Sequence, residues 1–218
     1  MRGLVIGASG RTGKLVIDEL RHRGHQVTAL VRNPDSMKGH DVDVVKGTPT
    51  NLDNVRAAFE DEKVDFVIVT LSAPRASDSP FASPISPPRL MADSNGNITT
   101  AMNEFGVSKI VVLQAFGVGK SWDNMACVLQ LLMGKSNMRF QYDDHNHTDR
   151  EVRQKGVTFV FVRPARLVDS DAMTIREWAN DGKGMPLMAS CSRRSLAQFL
   201  VDSAMEPKYD NTAPVISN

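Results

Sequence analysis

The stretch Leu4-Val5-Ile6-Gly7-Ala8-Ser9-Gly10-Arg11-Thr12-Gly13 decides how this chain folds. A short apolar run leads into three glycines at a spacing of three, then into a helical pattern carrying Leu15, Val16 and Leu20. That order reads as strand, tight turn and helix, the helix opening at Gly13 and running to about Arg23, with Gly24 as its stop. Glycines at this spacing let the backbone turn sharply, let a pyrophosphate approach it closely, and let helix pack on strand. Unpaired amides at the helix N-terminus, together with the helix dipole, then favour an anion. Gly7, Ser9, Gly10, Arg11, Thr12 and Gly13 are therefore the first cofactor-binding candidates, and the cofactor that fits is a dinucleotide.

The end of the second strand, Gln26 to Arg32, selects between dinucleotides. A carboxylate there bonds the ribose hydroxyls of NAD, whereas a guanidinium accommodates the 2′-phosphate of NADP. This chain has Arg32, with Arg11 in the glycine turn close by, and two guanidinium groups make a phosphate clamp. The expected cofactor is NADP.

The same strand-and-helix rhythm continues. Asp41 to Lys46 reads as a third strand, Asn51 caps a helix through Glu60 with Val55 and Phe59 inward, and Val64 to Thr70 reads as a strand buried on both faces. Loops at the carboxyl ends of such strands line the ligand crevice. Thr48, Pro49, Leu71, Ser72, Ala73 and Arg75 join the cofactor-lining set on position. Residues 73–90 are rich in proline and serine, which excludes helix and central strand and reads as a rim over the site. A helix near Arg89 to Phe105, a strand from Lys109 to Leu113, a helix-like stretch from Trp122 to Met133, a charged helix from Tyr142 to Lys155 and a strand from Val157 to Val162 follow. Ser192 opens a helix through Met205, and Pro214-Val215-Ile216 closes the sheet edge. Ala115, Pro164 and Ala165, beyond the fifth and sixth strands, complete the cofactor-lining candidates.

These elements predict an α/β fold: a Rossmann-type, doubly wound, mostly parallel sheet flanked by helices. A length of 218 residues suits one NAD(P)-binding domain over 1–218. Segments 117–141 and 167–192 are expected on the substrate side, where Met125, Met133, Met173, Met185, Met188, Phe116 and Trp178 offer an adaptable apolar lining. The 26 Lys and Arg nearly balance 25 Asp and Glu with no block of either sign, which points away from nucleic acid or anionic membrane as a partner. Cys127 and Cys191 form neither a metal motif nor a disulfide framework. A small-molecule substrate and a cytoplasmic location are the expectation, with no membrane-spanning or secretory segment.

Gly7-Ala8-Ser9-Gly10-Arg11-Thr12-Gly13, Leu30-Val31-Arg32-Asn33-Pro34, Val162-Arg163-Pro164 and Ser192-Arg193 with Leu196-Ala197-Gln198-Phe199-Leu200 resemble the NmrA-like, NAD(P)-binding branch of atypical short-chain dehydrogenases/reductases. The run Asp143-Asp144-His145 is similar to that of the biliverdin-IXβ reductase/flavin reductase group. The resemblance implies NADPH-dependent oxidoreductase chemistry, but the chain departs from it in the proton relay. Active short-chain dehydrogenases use a serine after the fifth strand and a Tyr-x-x-x-Lys pair. Alignment puts Ala115 or Gln114 at the serine, Gln141 at the tyrosine and His145 at the lysine, with Tyr142 one residue, about 100° of helix, out of register. Gln114, Tyr142 and His145 are the catalytic candidates, His145 as the acid/base on account of an imidazole titrating near neutrality. A solvated helix face is the alternative for His145 and His147. A metal site from those two and Asp149 lacks a completing ligand, so none is assigned.

Hydride transfer needs chiefly placement of the nicotinamide against its acceptor, and a planar conjugated acceptor can take its proton from water. The expected substrate is accordingly a flavin, tetrapyrrole, or quinone- or polyketide-like metabolite, with hydride moving in either direction. Two alternatives stay open: a dinucleotide-binding regulator without turnover, and a non-redox isomerase or dehydratase on the same fold.

Overall fold

The computed structural model describes all residues of the chain except Asp61 and Asp78. In chain order the elements are β1 (Arg2–Ile6), α1 (Arg11–His22), β2 (Gln26–Val31), β3 (Asp43–Lys46), α2 (Leu52–Glu60), β4 (Phe66–Val69), α3 (Leu90–Phe105) and β5 (Lys109–Leu113). There follow α4 (Cys127–Lys135), α5 (Met138–Val152), β6 (Thr158–Pro164), β7 (Arg166–Val168), β8 (Arg176–Trp178), β9 (Ser190–Ser192), α6 (Arg193–Met205) and β10 (Val215–Ser217).

The main sheet runs β3-β2-β1-β4-β5-β6-β10-β8 among the described residues, parallel throughout except where β8 lies antiparallel to β10. Strand residues alternate between two cores. Val5, Ala29, Ile68, Val111 and Val160 meet α1 and α6 on one face. Leu4, Leu30, Val67, Ile110 and Phe161 meet α2, α3 and the end of α5 on the other. Helices therefore cover both faces, as buried parallel strands require. The chain order reverses between β2 and β4 on either side of β1, and the crevice of such a sheet opens at the carboxyl ends there.

Several expectations are corrected. Val215 and Ile216 do not form the edge: Arg176–Trp178, inside the expected substrate-side segment 167–192, pairs outside them. The stretch from Trp122 splits into a 3-10 turn, Gly119–Trp122, and α4, because Asp123 and Asn124 interrupt the apolar pattern. The charged helix begins a turn earlier, at Met138. The proline-rich rim folds back on itself: Ala76 N–H donates to Ser83 O at 3.0 Å and Ile85 N–H to Pro74 O at 3.1 Å.

Helix α3 has an unusual start. Arg89, before it, has φ +60° and offers no side-chain cap. The buried carboxylate of Asp144, on α5, accepts from the N–H groups of Met91 and Ala92 at 2.8 and 2.9 Å instead. First-turn amides need such partners when water cannot reach them. No helix among the described residues is long and apolar enough to cross a membrane.

Candidate functional site

The three glycines of the turn do three different jobs. Gly7 has φ +84°, and a Cβ on it would lie 2.9 Å from Thr70, whose hydroxyl donates to Gly7 O at 3.2 Å. The turn is thereby pressed against the end of β4. A Cβ on Gly13 would lie 2.2 Å from Gly7 O and 2.8 Å from Ala8, so only glycine lets α1 sit this close to the turn. Gly10 is exposed, its φ is an ordinary −75°, and a Cβ on it would meet only Gly7 O at 3.2 Å. Its bareness serves the outside. No side chain caps α1 and no acidic residue stands in its first turn, which leaves an anion-seeking helix end. Ser9, Gly10 and Arg11 are exposed at that end, while Thr12 and Gly13 are buried in the packing beneath it. A pyrophosphate fits this cradle.

Arg32 stands exposed just past β2 and makes no ion pair among the described residues. Arg11 lies 3.7 Å from Asp169, a carboxylate that also accepts from Arg193 at 2.7 Å. The sequence reading missed this acidic neighbour of the glycine turn, which comes from far along the chain. Beyond β3, Thr48 N–H donates to Asn54 Oδ1 at 3.1 Å, and Pro49 O accepts from Asn97 at 3.0 Å. Beyond β4, Leu71 leans on the α2/α3 core, Ser72 is exposed, and Ala73 is half-buried. Pro164 ends β6 with its carbonyl accepting from Phe116 N–H at 3.0 Å, Ala165 makes the bend between β6 and β7, and both are buried.

A cavity of about 330 Å³ lies between the rim, from Ala73 to Arg89, and α5. Pro84, Pro87, Pro88 and Phe140 supply apolar walls, and Arg75, Arg89, Asp143, Asp144, His147 and the amide of Gln141 make the rest of the lining polar and charged. The Arg75 guanidinium is steadied by Ser79 O at 2.5 Å. The methionines do not line this cavity. Met125, Met133 and Phe116 pack around Tyr142 in a separate small core, Met173 and Met188 are exposed, and Trp178 donates to Ser217 Oγ at 3.0 Å on the sheet edge.

The catalytic candidates are placed differently from the sequence expectation. Tyr142 turns into the small core, and its phenol donates to Phe116 O at 2.9 Å. Burial pushes its pKa up to about 12, so it holds its proton at neutral pH. His145 is not on a solvated face: it is 5% exposed. Burial, and next the charge of Arg163, push its pKa down to about 4. The imidazole is therefore neutral at physiological pH, and the expectation of titration near neutrality is corrected by desolvation. Gln114 is buried, its Oε1 accepting from Arg163 Nε at 3.1 Å, with its Nε2 unpartnered among the described residues. Arg163 in turn donates to Asp149 at 2.6 Å, and Asp149 accepts from Arg153 at 2.7 Å. A buried polar network thus occupies the ground beneath the family's proton relay. Its one signal in the sequence was a charge, Arg163, closing an otherwise apolar strand. His147 is outside this network but lines the cavity between the rim and α5, 3.1 Å from Arg150 and 3.9 Å from Glu151. No three metal-ligating side chains come together among the described residues.

A Rossmann sheet with a bare glycine cradle, an open helix end and an arginine past β2 defines a nucleotide-cofactor protein. The sequence model of the NAD(P)H-binding family matches residues 7–207, and the chain belongs to that family. Solved structures agree on the fold. A candidate NAD-dependent epimerase/dehydratase from Bacillus halodurans is 18% identical, with TM-score 0.79 over 100% of this chain and 94% of its own. ChuY, an anaerobilin reductase from Escherichia coli O157:H7, is 15% identical, with TM-score 0.78 over 100% of this chain and 97% of its own. A short-chain dehydrogenase/reductase from Veillonella parvula, solved in complex with NADP, is 11% identical, with TM-score 0.78 over 100% of this chain and 94% of its own. The uncharacterized protein YwnB of Bacillus subtilis is 43% identical over 42 residues, which span 19% of this chain and 20% of that relative. At these identities the solved structures share the fold of this chain.

Proposed function

We propose that the protein is an NADPH-dependent oxidoreductase that moves hydride between the nicotinamide and a planar conjugated small molecule. What supports this is the cavity between the rim and α5, which begins at Ala73, a residue given to the cofactor crevice by its place after β4, and which has prolines and Phe140 among its walls. Flat apolar walls suit a flat acceptor. NADPH supplies a hydride and leaves as NADP, and the reduced acceptor gains one proton besides.

The chain's own residues position rather than protonate. Gly7, Gly10, Gly13 and the first amides of α1 would hold the pyrophosphate, Arg32 and Arg11 would hold the 2′-phosphate, and Ala73 and Ala115, the latter half-buried against the core around Tyr142, would lie toward the nicotinamide. Tyr142, tied to Phe116 O, and His145, neutral and buried, are withheld from proton transfer. A conjugated acceptor tolerates this because its delocalised charge can be neutralised by water. The test is loss of nicotinamide absorbance from NADPH with a panel of flavin, quinone and linear tetrapyrrole acceptors. Turnover with at least one supports the reading.

A dinucleotide-binding regulator is the second reading, favoured by α4, which buries none of its residues and exposes Val128 and Leu131. Tight NADPH binding with no oxidation by any acceptor class favours it instead.

A further inference from the structure

Asp169, just beyond β7, brings a carboxylate from far along the chain to the glycine turn. Its Oδ1 accepts from Arg193 Nη1 at 2.7 Å. Arg193 is the first residue of α6 and its side chain is only 12% exposed, so this half of the carboxylate is held firmly. The backbone that follows is tied down too: Ser192 Oγ donates to Ala172 O at 2.7 Å, and Asn218 Nδ2 to Thr174 O at 2.7 Å. The negative charge of Asp169 is thus built into the fold. Its other oxygen, Oδ2, lies 3.7 Å from Arg11 Nη1, too long for a hydrogen bond, between side chains 69% and 62% exposed. One contact of this carboxylate is therefore short and anchored, the other long and open to water. An incoming phosphate competes for the second alone. Arg11 can exchange Asp169 for charge-assisted hydrogen bonds to the phosphate, but gives up an ion pair in doing so. Arg32 makes no ion pair among the described residues and has no such rival.

Resting on the reading of Arg32 and Arg11 as the 2′-phosphate clamp, we infer that Asp169 is a cofactor-selectivity residue that competes with the 2′-phosphate for Arg11. It acts through Arg11 and does not touch the cofactor. NADH has no 2′-phosphate, so its binding leaves the Arg11–Asp169 pair in place. The competition therefore lowers affinity for one cofactor and not for the other, and selectivity is the difference between the two affinities. Arg32 carries most of the preference for NADPH, and the gap between the cofactors is narrower than two unopposed arginines would set.

The experiment titrates NADPH and NADH, followed by nicotinamide fluorescence, into wild type, Asp169→Asn, Arg11→Ala and the double variant. Asp169→Asn is expected to tighten NADPH about fivefold, the upper range for an exposed ion pair, and to leave NADH within about 1.5-fold. In the Arg11→Ala background the same substitution should change NADPH by less than about 1.5-fold, because its effect passes through that guanidinium. Asp169→Ala should reproduce the gain, which separates loss of the carboxylate from any new contact of the Asn amide. A general loss of fold would lower both cofactors alike and leave their ratio unmoved. An unchanged or weaker NADPH affinity in Asp169→Asn, an equal gain for NADH, or a gain that persists without Arg11 overturns the inference. It fails separately from the reading beneath it. Weaker NADPH binding in Arg11→Ala with no change in Asp169→Asn defeats the inference and leaves the clamp. NADPH affinity indifferent to both Arg11→Ala and Arg32→Ala defeats the clamp, and the inference with it.

Discussion

Arg163 donates to Asp149 at 2.6 Å inside the protein, where the arginine side chain is 3% exposed and the aspartate 12%. A buried ion pair survives only if its remaining hydrogen-bonding positions are filled. Here Gln114 Oε1 and Arg153 fill them. Removing one partner strands the other charge, so Arg163→Met should cost about 3–5 kcal/mol of stability. Arg163→Met with Asp149→Leu should cost clearly less than the sum of the single changes. Chemical denaturation of the four proteins of this cycle measures both statements.

Gly10 and Gly13 should separate binding from folding. Gly10→Val places its side chain on the open face of the cradle, near only Gly7 O. The variant should fold with near wild-type stability and bind NADPH at least about tenfold more weakly. Gly13→Ala drives a methyl into Gly7 O and Ala8, and should destabilise the fold by roughly 1–3 kcal/mol or more through overpacking. Denaturation midpoints alongside cofactor titrations distinguish the two effects.

Arg32→Ala should weaken NADPH by about tenfold to a hundredfold and leave NADH within about twofold, as loss of a charge-assisted phosphate contact implies. Competitive titration of both cofactors checks it. Equal wild-type affinities for NADPH and NADH would contradict the role given to Arg32.

His145 has a signature in stability against pH. Its folded pKa, near 4, lies below the 6.5 of a free imidazole. Between those values the unfolded chain binds the extra proton. The stabilisation is therefore complete above pH about 6.5 and is lost as pH falls toward 4, by on the order of 3 kcal/mol in total. In His145→Asn the slope over this window should shrink. Turnover between pH 6 and 8 should show no limb that disappears with this substitution.

Tyr142→Phe removes one hydrogen bond, to Phe116 O, and should cost about 1 kcal/mol of stability. Turnover should stay within about threefold of wild type, as for a phenol that does not touch the substrate. A loss of a hundredfold or more would put the phenol in the reaction.

Much of this was written locally in the chain. The glycine turn and its strand, the cap of α2 by Asn51 and the cap of α6 by Ser192 each depend on residues two or three apart, and each is found where it was expected. The misses have long-range causes. Arg176-Glu177-Trp178 shows no strand pattern because it is an exposed edge, selected by pairing with Val215 and Ile216. His145 read as an acid/base group, or as part of a solvated face, because Asp143, Asn146 and His147 surround it in sequence; its burial beside Arg163, some eighteen residues on, was not legible there. Gln141 read as the place of a lost tyrosine; its contact with a cavity depends on the proline-rich rim some fifty residues earlier.

The carboxylate of Asp144 has a mechanical consequence. By holding the amides of Met91 and Ala92 it latches the start of α3 to the middle of α5, and Asp144 itself stands on the cavity wall. The helical side of the cavity is therefore stiff, its shape set before any molecule arrives, and little ordering entropy is lost there on binding. The opposite wall is tied down as well: Ala76 and Ile85 bond back to Ser83 and Pro74, and Asn137, at the start of α5, holds Phe81 O at 2.9 Å, so a change at Asn137 would loosen rim and helix together.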